Sequence, residues 1–157
     1  MVALMTELLD LRPEDNVLEV GTGSGYQAAV LAELAGTVCS IEVIPELAAR
    51  AAAVLAAQGY DRIALRTGDG SAGWPERVPF DAIIVTAAAQ AVPPALLAQL
   101  RPGGRMMVPV GPPDGEQRLL LITKDAAGKV ARRNLLRVAF VPLTDGRNGG
   151  QGARPSR

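Results

Sequence analysis

Apolar residues along the chain switch between two spacings, one typical of strands and one typical of helices. A helical stretch opens the chain, and short apolar runs with β-branched residues then alternate with alanine- and leucine-rich segments of helical periodicity. The predicted order is a helix, then β-α-β-α-β-β-α-β, then two strands joined by a turn at 125–129. The predicted strands are 16–20, 37–42, 62–66, 82–85, 105–110, 117–124 and 130–141, and the predicted helices are 4–11, 25–35, 46–58 and 93–100.

This order of elements predicts one α/β domain. Strands that alternate with helices form a doubly wound, mostly parallel sheet, because each crossover helix packs back onto the sheet. The last two strands follow each other without a helix, which favours an antiparallel pair at the C-terminal edge. A chain of 157 residues has room for one such domain. We assign it to residues 1–144 and expect residues 145–157, which lack an apolar anchor, to form a flexible tail.

The composition argues against several classes of function. The chain has 16 basic and 16 acidic residues, and this zero net charge disfavours a general nucleic-acid or membrane-surface binder. It has no histidine and one cysteine, Cys39, so neither a metal site nor an internal disulfide is expected. No signal peptide is visible, and no apolar run reaches the roughly 18 residues that span a bilayer. We therefore expect a cytoplasmic protein.

A glycine-rich loop, VLEVGTGSGY at residues 17–26, lies between the first predicted strand and the next helix. Such a loop lets the backbone approach a ligand, and the free N–H groups of the helix N-terminus are close by. Dinucleotide sites have the spacing G-x-G-x-x-G, whereas this loop has G-x-G-x-G behind an acid. The predicted ligand contacts in the loop are Glu19, Gly21, Thr22, Gly23, Ser24 and Gly25.

The charges around this loop favour S-adenosylmethionine over a dinucleotide. No Lys or Arg lies between Arg12 and Arg50, whereas several acids lie there. Two phosphates would be repelled in such a setting. S-adenosylmethionine has no phosphate and carries a sulfonium and an ammonium group, which acids stabilise. We therefore expect S-adenosylmethionine as the cofactor, and a nicotinamide-dependent oxidoreductase is the disfavoured alternative.

Residues that follow three other strands complete the predicted site. Glu42 ends the second strand, where an acid can accept hydrogen bonds from the ribose hydroxyls. Asp69 and Gly70 follow the third strand, and Asp69 could accept from the adenine amino group. Thr86 follows the fourth strand, where the small residues after it leave space for the reacting methyl group. A solvated acid, a turn aspartate and plain packing are the respective alternatives.

Several stretches together resemble one protein family. They are VLEVGTGSGYQAAVLAELAG, SIE, TGDGSAGWPERVPFDAIIVTAAA, PPALLAQLRPGGRMMVPVG and FVPL, within residues 2–144. They resemble protein-L-isoaspartate O-methyltransferases, and GDG-x-x-GWPE followed by FD-x-IIVTAA is the specific part. The resemblance implies a Rossmann-like class I methyltransferase sheet. It also implies methyl transfer from S-adenosylmethionine to the carboxylate of L-isoaspartyl or D-aspartyl residues in damaged proteins, as a step of protein repair.

The chemistry and partners that the resemblance implies agree with the composition. A carboxylate acceptor is already ionised at pH 7, so methyl transfer to it requires alignment of the reacting atoms rather than a general base. The absence of histidine is compatible with such a reaction. The expected partners are proteins or peptides that carry isoaspartyl residues. We expect a monomer, with self-association through exposed apolar surface as the alternative.

The N-terminus departs from the family pattern. In the family, a segment like T-I-S-Q-P precedes the stretch V-A-L-M-T-E-L-L, and its hydroxyl residue is thought to contact the substrate carboxylate. Here that stretch, residues 2–9, directly follows Met1. We therefore interpret the domain as N-terminally truncated and leave the catalytic residue unassigned, with residues 109–111 and 141–143 as candidates for substrate contacts. The alternative function is a module that binds S-adenosylmethionine without activity.

Overall fold

The computed structural model describes residues 1–146, so the predicted tail lies outside the described residues from position 147 onward. Its helices are α1 (Val2–Leu9), α2 (Tyr26–Leu34), α3 (Pro45–Ala57) and α4 (Pro94–Gln99). Its strands are β1 (Asn16–Val20), β2 (Thr37–Glu42), β3 (Ala64–Thr67), β4 (Phe80–Val85), β5 (Leu100–Val110), β6 (Gln117–Lys124) and β7 (Val130–Val138). Two short 3₁₀ helices, Gly70–Ala72 and Pro75–Arg77, join β3 to β4.

The strands of residues 1–146 form one seven-stranded sheet in the order β3-β2-β1-β4-β5-β6-β7. Strands β1 to β5 pair in parallel, whereas β6 pairs antiparallel with both β5 and β7. The structure therefore confirms the doubly wound sheet with an antiparallel edge. From β1 the chain first extends the sheet to one side and then returns to place β4 on the other side. A crevice forms at such a reversal, outside the carboxyl ends of β1 and β4.

Helices cover both faces of this sheet. Neighbouring residues of a strand point to opposite faces, so Val17 and Leu18 of β1 belong to two separate apolar clusters. Val17 packs in the cluster that holds Met5 of α1 and Leu31 of α2, and Leu18 packs in the cluster that holds Leu96 of α4. Both faces of β1 are consequently buried. This explains why the strand reads as a nearly continuous apolar run rather than an alternating one.

The largest difference from the predicted elements concerns β5. Residues 102–104, Pro-Gly-Gly, were expected to separate the fourth helix from a strand beginning at Arg105, but β5 begins at Leu100. Leu100 pairs with Phe80, and Arg105 pairs with Ala82, so the register shifts across the segment between them. The proline and the glycines therefore form an irregularity within the strand, where the ladder of hydrogen bonds is interrupted anyway.

Helix α1 packs one face against the sheet and α2. Its buried residues are Met5, Thr6 and Leu9, whereas Leu4 is exposed. The buried Thr6 hydroxyl accepts a hydrogen bond of 2.9 Å from the Gln27 side-chain amide of α2, which joins the two helices. None of the helices in residues 1–146 is long and apolar enough to cross a membrane.

Candidate functional site

A cavity of about 390 Å³ lies where β1, β2 and β4 end, at the reversal of strand order. Its volume falls in the range of small-molecule sites. Glu42 is the only charged side chain among the described residues that line it. An acidic, otherwise apolar wall favours a cationic ligand and disfavours a phosphate. The lining comprises Val20, Gly21, Gly23, Ile41, Glu42, Val43, Ile44, Leu47, Gly70, Thr86, Ala87, Val141, Pro142, Leu143 and Thr144.

The structure brings half of the predicted ligand contacts to this cavity. The residues that line it are Gly21, Gly23, Glu42, Gly70 and Thr86. The predicted residues that do not line it are Glu19, Thr22, Ser24, Gly25 and Asp69. The residues of the second group are close in sequence to those of the first. Several of them hold the glycine loop or the turn at Gly70 in position.

Gly21 and Thr86 join the ends of β1 and β4. The Thr86 hydroxyl donates to the Gly21 carbonyl over 2.7 Å, and the Thr86 amide donates to the Val20 carbonyl over 2.9 Å. Gly21 has a φ of +99°, and a Cβ added there would collide with the Thr86 hydroxyl oxygen. Glycine is therefore needed at position 21 both for its backbone conformation and for the close approach of Thr86.

Glu42 is buried at the end of β2, with 6% of its surface exposed, and its carboxylate faces the cavity. One oxygen accepts a hydrogen bond of 2.8 Å from the Gly23 amide, and the other accepts one of 3.1 Å from the Ile44 amide. Each carboxylate oxygen can accept a second hydrogen bond. The carboxylate is thus held in one orientation by the backbone and retains acceptor capacity for a ligand hydroxyl.

Gly70 lines the cavity, whereas Asp69 before it does not. A Cβ added to Gly70 would collide with the Val20 side chain, so glycine allows this turn to lie directly against β1. Asp69 caps the following 3₁₀ helix, since its Oδ1 accepts hydrogen bonds from both the amide and the hydroxyl of Ser71. The predicted contact between Asp69 and adenine stays a prediction.

Glu19 is fully buried and does not line the cavity. Its Oε2 accepts a hydrogen bond of 2.5 Å from the Ser40 hydroxyl, and its Oε1 has no partner among the described residues. Burial raises the pKa of Glu19 to about 8; the hydrogen bond from Ser40 lowers it, and the charge of Glu42 raises it further. Glu19 is therefore largely protonated at pH 7, and its predicted contact with a cofactor stays a prediction.

The remaining predicted loop residues have three different surroundings. Thr22 is buried, and its hydroxyl lies 2.6 Å from the Ser40 hydroxyl. Ser24 is exposed, and its hydroxyl accepts a long hydrogen bond of 3.4 Å from the Tyr26 amide. Gly25 caps the N-terminus of α2 and packs beside Leu55 of α3. These residues belong to the loop and the start of α2, and none of them lines the cavity.

The C-terminal segment at 141–144 forms a wall of the cavity, which the sequence reasoning had not assigned to the cofactor side. Residues 141–143 had been considered only as substrate contacts. The Ala88 amide donates to the Val141 carbonyl, and the Leu143 amide donates to the Ala88 carbonyl, each over 2.8 Å. These hydrogen bonds hold the segment against the loop after β4. The FVPL stretch was the available signal, but it gave no indication of which strand end the segment would meet.

The cavity is also lined by Val43, Ile44 and Leu47, none of which was predicted from the sequence. They follow Glu42 at the turn into α3 and supply apolar surface beside its carboxylate. Ile44 is half exposed at the edge of the cavity. An apolar pair directly after a strand-ending acid was the signal that could have found them.

A second, more open groove of about 820 Å³ adjoins the cavity. The two share Pro142, Leu143 and Thr144, and the groove continues along the loop at 89–95 after β4. Its walls also include Ser71 and Pro113. A ligand in the cavity and a larger molecule in the groove would therefore meet at the 142–144 segment.

Comparisons with known proteins point to one family. The family model described as Protein-L-isoaspartate(D-aspartate) O-methyltransferase (PCMT) matches residues 1–148. Protein-L-isoaspartate O-methyltransferase 2 of Syntrophobacter fumaroxidans is 58% identical over 146 residues, 93% of this chain and 59% of the relative. Protein-L-isoaspartate O-methyltransferase 1 of an Anaeromyxobacter species is 59% identical over 145 residues, 92% of this chain and 68% of the relative. The chain spans about three fifths of the length of the first curated relatives it matches.

Solved structures agree with this fold. One named protein-L-isoaspartate O-methyltransferase superposes with a TM-score of 0.84 at 29% identity, covering 92% of this chain and 47% of that chain. Another, a Plasmodium falciparum beta-aspartate methyltransferase in complex with S-adenosyl-L-homocysteine, superposes with a TM-score of 0.76. It is 24% identical and covers 92% of this chain and 73% of that chain, so it bears on the fold alone.

Proposed function

Because the chain belongs to the protein-L-isoaspartate(D-aspartate) O-methyltransferase family, we propose that it binds S-adenosylmethionine and transfers its methyl group. The acceptor is the carboxylate of L-isoaspartyl or D-aspartyl residues in damaged proteins. The relatives are named protein-L-isoaspartate O-methyltransferases. For this chain, the cofactor, the substrate and the repair role are all part of this proposal.

One observation carries the proposal: Glu42 is the single charged side chain among the described residues that line the cavity at the reversal of strand order. A dinucleotide would bring two phosphates beside this carboxylate, with no cationic side chain in the wall to balance them. S-adenosylmethionine carries positive charge and no phosphate. The charge of the cavity lining therefore fits S-adenosylmethionine, and the cavity volume is adequate for a ligand of that size.

The cavity residues have separate roles in holding the cofactor. Glu42 would accept from the ribose hydroxyls with the oxygen lone pairs that Gly23 and Ile44 leave free. The backbone of the glycine loop would pass beside the amino-acid end, and Ile44 and Leu47 would contact the adenine ring. Asp69 and the turn at Gly70 are proposed beside the adenine amino group. When bound, the cofactor supplies an electrophilic methyl group on its sulfonium.

The chain's own contribution to the methyl transfer is alignment and exclusion of water. The acceptor carboxylate is ionised at pH 7 and needs no general base, and the chain has no histidine to act as one. The groove beside residues 142–144 is where we place the protein substrate, because the groove and the cavity share that segment as a wall. Holding the acceptor and the methyl group in line is the contribution that such a site makes to the rate.

Binding of S-adenosylmethionine without methyl transfer is the second candidate. It is favoured by one observation: no Lys or Arg is present among the described residues that line the cavity or the groove, so neither lining offers a cationic side chain to hold the substrate carboxylate. We also propose a cytoplasmic setting. Damaged proteins and peptides are the proposed partners, and a monomer is the proposed state.

Calorimetric titration of the chain with S-adenosylmethionine, S-adenosylhomocysteine and NAD tests the cofactor. Radiolabelled methyl transfer to a peptide with one isoaspartyl residue then tests the reaction, and the same peptide with an ordinary aspartyl residue is the control. We expect binding of both adenosyl ligands, no binding of NAD, and labelling of the isoaspartyl peptide alone. Binding without labelling would leave the second candidate, and binding of NAD alone would contradict both.

A further inference from the structure

A buried carboxyl group lies beneath the glycine loop and is connected to it by two hydroxyls. The Ser40 hydroxyl of β2 donates to Glu19 Oε2 of β1 over 2.5 Å, and the Thr22 hydroxyl of the loop lies 2.6 Å from the same Ser40 oxygen. Glu19 and Ser40 are fully buried, and Thr22 is 4% exposed. These three side chains therefore form one continuous hydrogen-bonded chain that solvent does not reach.

Ser40 is the residue that both hydrogen bonds share. It is bonded to Glu19 Oε2 on one side and to the Thr22 hydroxyl on the other. The Thr22 side chain does not line the cavity, so Thr22 contributes to the site through the position of its backbone.

Three consecutive residues at the end of β2 hold three points of the loop. The Ser40 hydroxyl is hydrogen-bonded to the Thr22 hydroxyl, and the Ile41 carbonyl accepts from the amides of Gly21 and Thr22, over 2.8 and 3.3 Å. The Glu42 carboxylate accepts from the Gly23 amide over 2.8 Å. A shift of Thr22 would move the next residue, Gly23, and so release one oxygen of the carboxylate that faces the cavity.

We propose that Thr22, Ser40 and Glu19 form a hydroxyl relay that positions the glycine loop for cofactor binding, with Ser40 as the residue that joins the loop to β1. This inference rests on the proposed function, because the cofactor is the ligand that the loop would hold. None of the three side chains lines the cavity. They are positioning residues, and their effect reaches the ligand through Gly23 and Glu42.

The surroundings of Glu19 agree with this role. An unpaired buried carboxylate would be strongly disfavoured, and raising the pKa of Glu19 to about 8 leaves the group neutral at pH 7. A neutral carboxyl still accepts from Ser40, so the relay holds without a second negative charge close to Glu42. A purely apolar set of side chains would fill the same space but would not fix the direction of Thr22.

Matched variants of Thr22 test the relay. Thr22→Val keeps the shape of the side chain and removes its hydroxyl, whereas Thr22→Ser keeps the hydroxyl. We expect Thr22→Val to weaken S-adenosylhomocysteine binding about tenfold, as for loss of one buried hydrogen bond. Thr22→Ser should recover most of this loss. In turnover, the change should appear in the KM for S-adenosylmethionine and leave kcat nearly unchanged.

A double-mutant cycle tests whether the hydroxyls act as a unit. Ser40→Ala and Thr22→Val each break the relay, so the double variant should bind S-adenosylhomocysteine no more weakly than about the worse single variant. Ile122→Val, on β6 in the buried core, is the control for a general loss of stability. It should lower the melting temperature and leave binding unchanged. Additive losses, or equal losses in Thr22→Val and Ile122→Val, would overturn the relay.

Amide hydrogen exchange in the ligand-free protein separates this inference from the proposed function. The amides of Gly21, Thr22 and Gly23 should exchange faster in Thr22→Val than in Thr22→Ser, while the amides of β4 keep their protection. If the wild-type protein bound no adenosyl ligand but showed this pattern, the proposed cofactor would be wrong and the relay would stand. Unchanged loop exchange in Thr22→Val would contradict the relay whatever the ligand.

Discussion

The hydroxyl of Thr86 donates a hydrogen bond of 2.7 Å to the backbone carbonyl of Gly21. This contact joins the loop after β4 to the first glycine after β1, on the two sides of the point where the strand order reverses. A Cβ added to Gly21 would collide with the same hydroxyl oxygen. The missing side chain at Gly21 therefore leaves room for the Thr86 hydroxyl. Substitutions of either residue test the same contact.

Gly21→Ala should abolish binding of S-adenosylhomocysteine in calorimetry. The new methyl group would displace Thr86, and alanine is strained at a φ of +99°. Gly59→Ala is the matched control, because Gly59 also has a positive φ, of +84°, but open space around its Cβ position. It should cost about 1 kcal/mol of stability and leave binding unchanged. Equal loss of binding in both variants would show that strain, and not the clash with Thr86, matters.

Thr86→Val should weaken cofactor binding about tenfold, since it removes the donor to the Gly21 carbonyl and keeps the volume of the side chain. Thr86→Ser retains the donor and should stay close to the wild-type affinity. The dissociation constant for S-adenosylhomocysteine, measured for both variants at one temperature, provides the comparison. If Thr86→Ser bound the ligand as weakly as Thr86→Val, the hydrogen bond alone would not explain the affinity, and packing of the Thr86 methyl group would contribute to it.

Glu42→Gln should reduce the affinity for S-adenosylmethionine by a factor of about thirty, or ~2 kcal/mol. The substitution removes the charge from the cavity and leaves one acceptor oxygen for the two amides of Gly23 and Ile44. Glu46→Gln, on the exposed first turn of α3, removes the same charge nearby and should have little effect. Unchanged affinity in Glu42→Gln would contradict its assignment to the ribose.

The free energy of unfolding should fall as the pH rises from about 5 to about 8. The folded protein keeps the proton of Glu19 up to a pKa of about 8, while the unfolded chain releases it near 4.5. Between these values the folded state binds more protons, so a rise in pH favours unfolding. At about 1.4 kcal/mol per pKa unit, the contribution of Glu19 approaches roughly 4 kcal/mol.

Urea denaturation at a series of pH values measures this contribution. Glu19→Gln keeps an acceptor for the Ser40 hydroxyl and has no titrating proton, so its stability should depend less on pH over this range. Glu14→Gln, at an exposed acid before β1, is the control and should follow the wild-type curve. Parallel curves for wild type and Glu19→Gln would show that Glu19 is not protonated in the folded state.

Local patterns were sufficient to predict most of the elements. The strands Asn16–Val20, Thr37–Glu42 and Gln117–Lys124 have the predicted bounds, because each is a short apolar run with a clear stop at either end. The start of β5 at Leu100 could not be predicted in this way. Proline and glycines normally end a strand, and only pairing with Phe80 of β4 places Leu100 in the sheet.

The residues of the candidate site were also only partly predictable from the sequence. The glycine spacing and the positions of Glu42 and Thr86 at strand ends predicted residues that do line one cavity. Glu19 and Thr22 carry equally strong local signals, but neither side chain lines the cavity. The direction of a side chain at the end of a strand depends on which face its neighbours cover, and the loop sequence does not contain that information.

By itself, the sequence determined the alternation of strands and helices, the glycine loop and the acidic character of its surroundings. Those features depend on residues that are close together along the chain. Only the tertiary structure decided that Glu19 is hydrogen-bonded to Ser40, and through Ser40 to Thr22, and that residues 141–144 form a wall of the cavity. These contacts join segments far apart in the chain, and the packing of β1 between β2 and β4 brings them together.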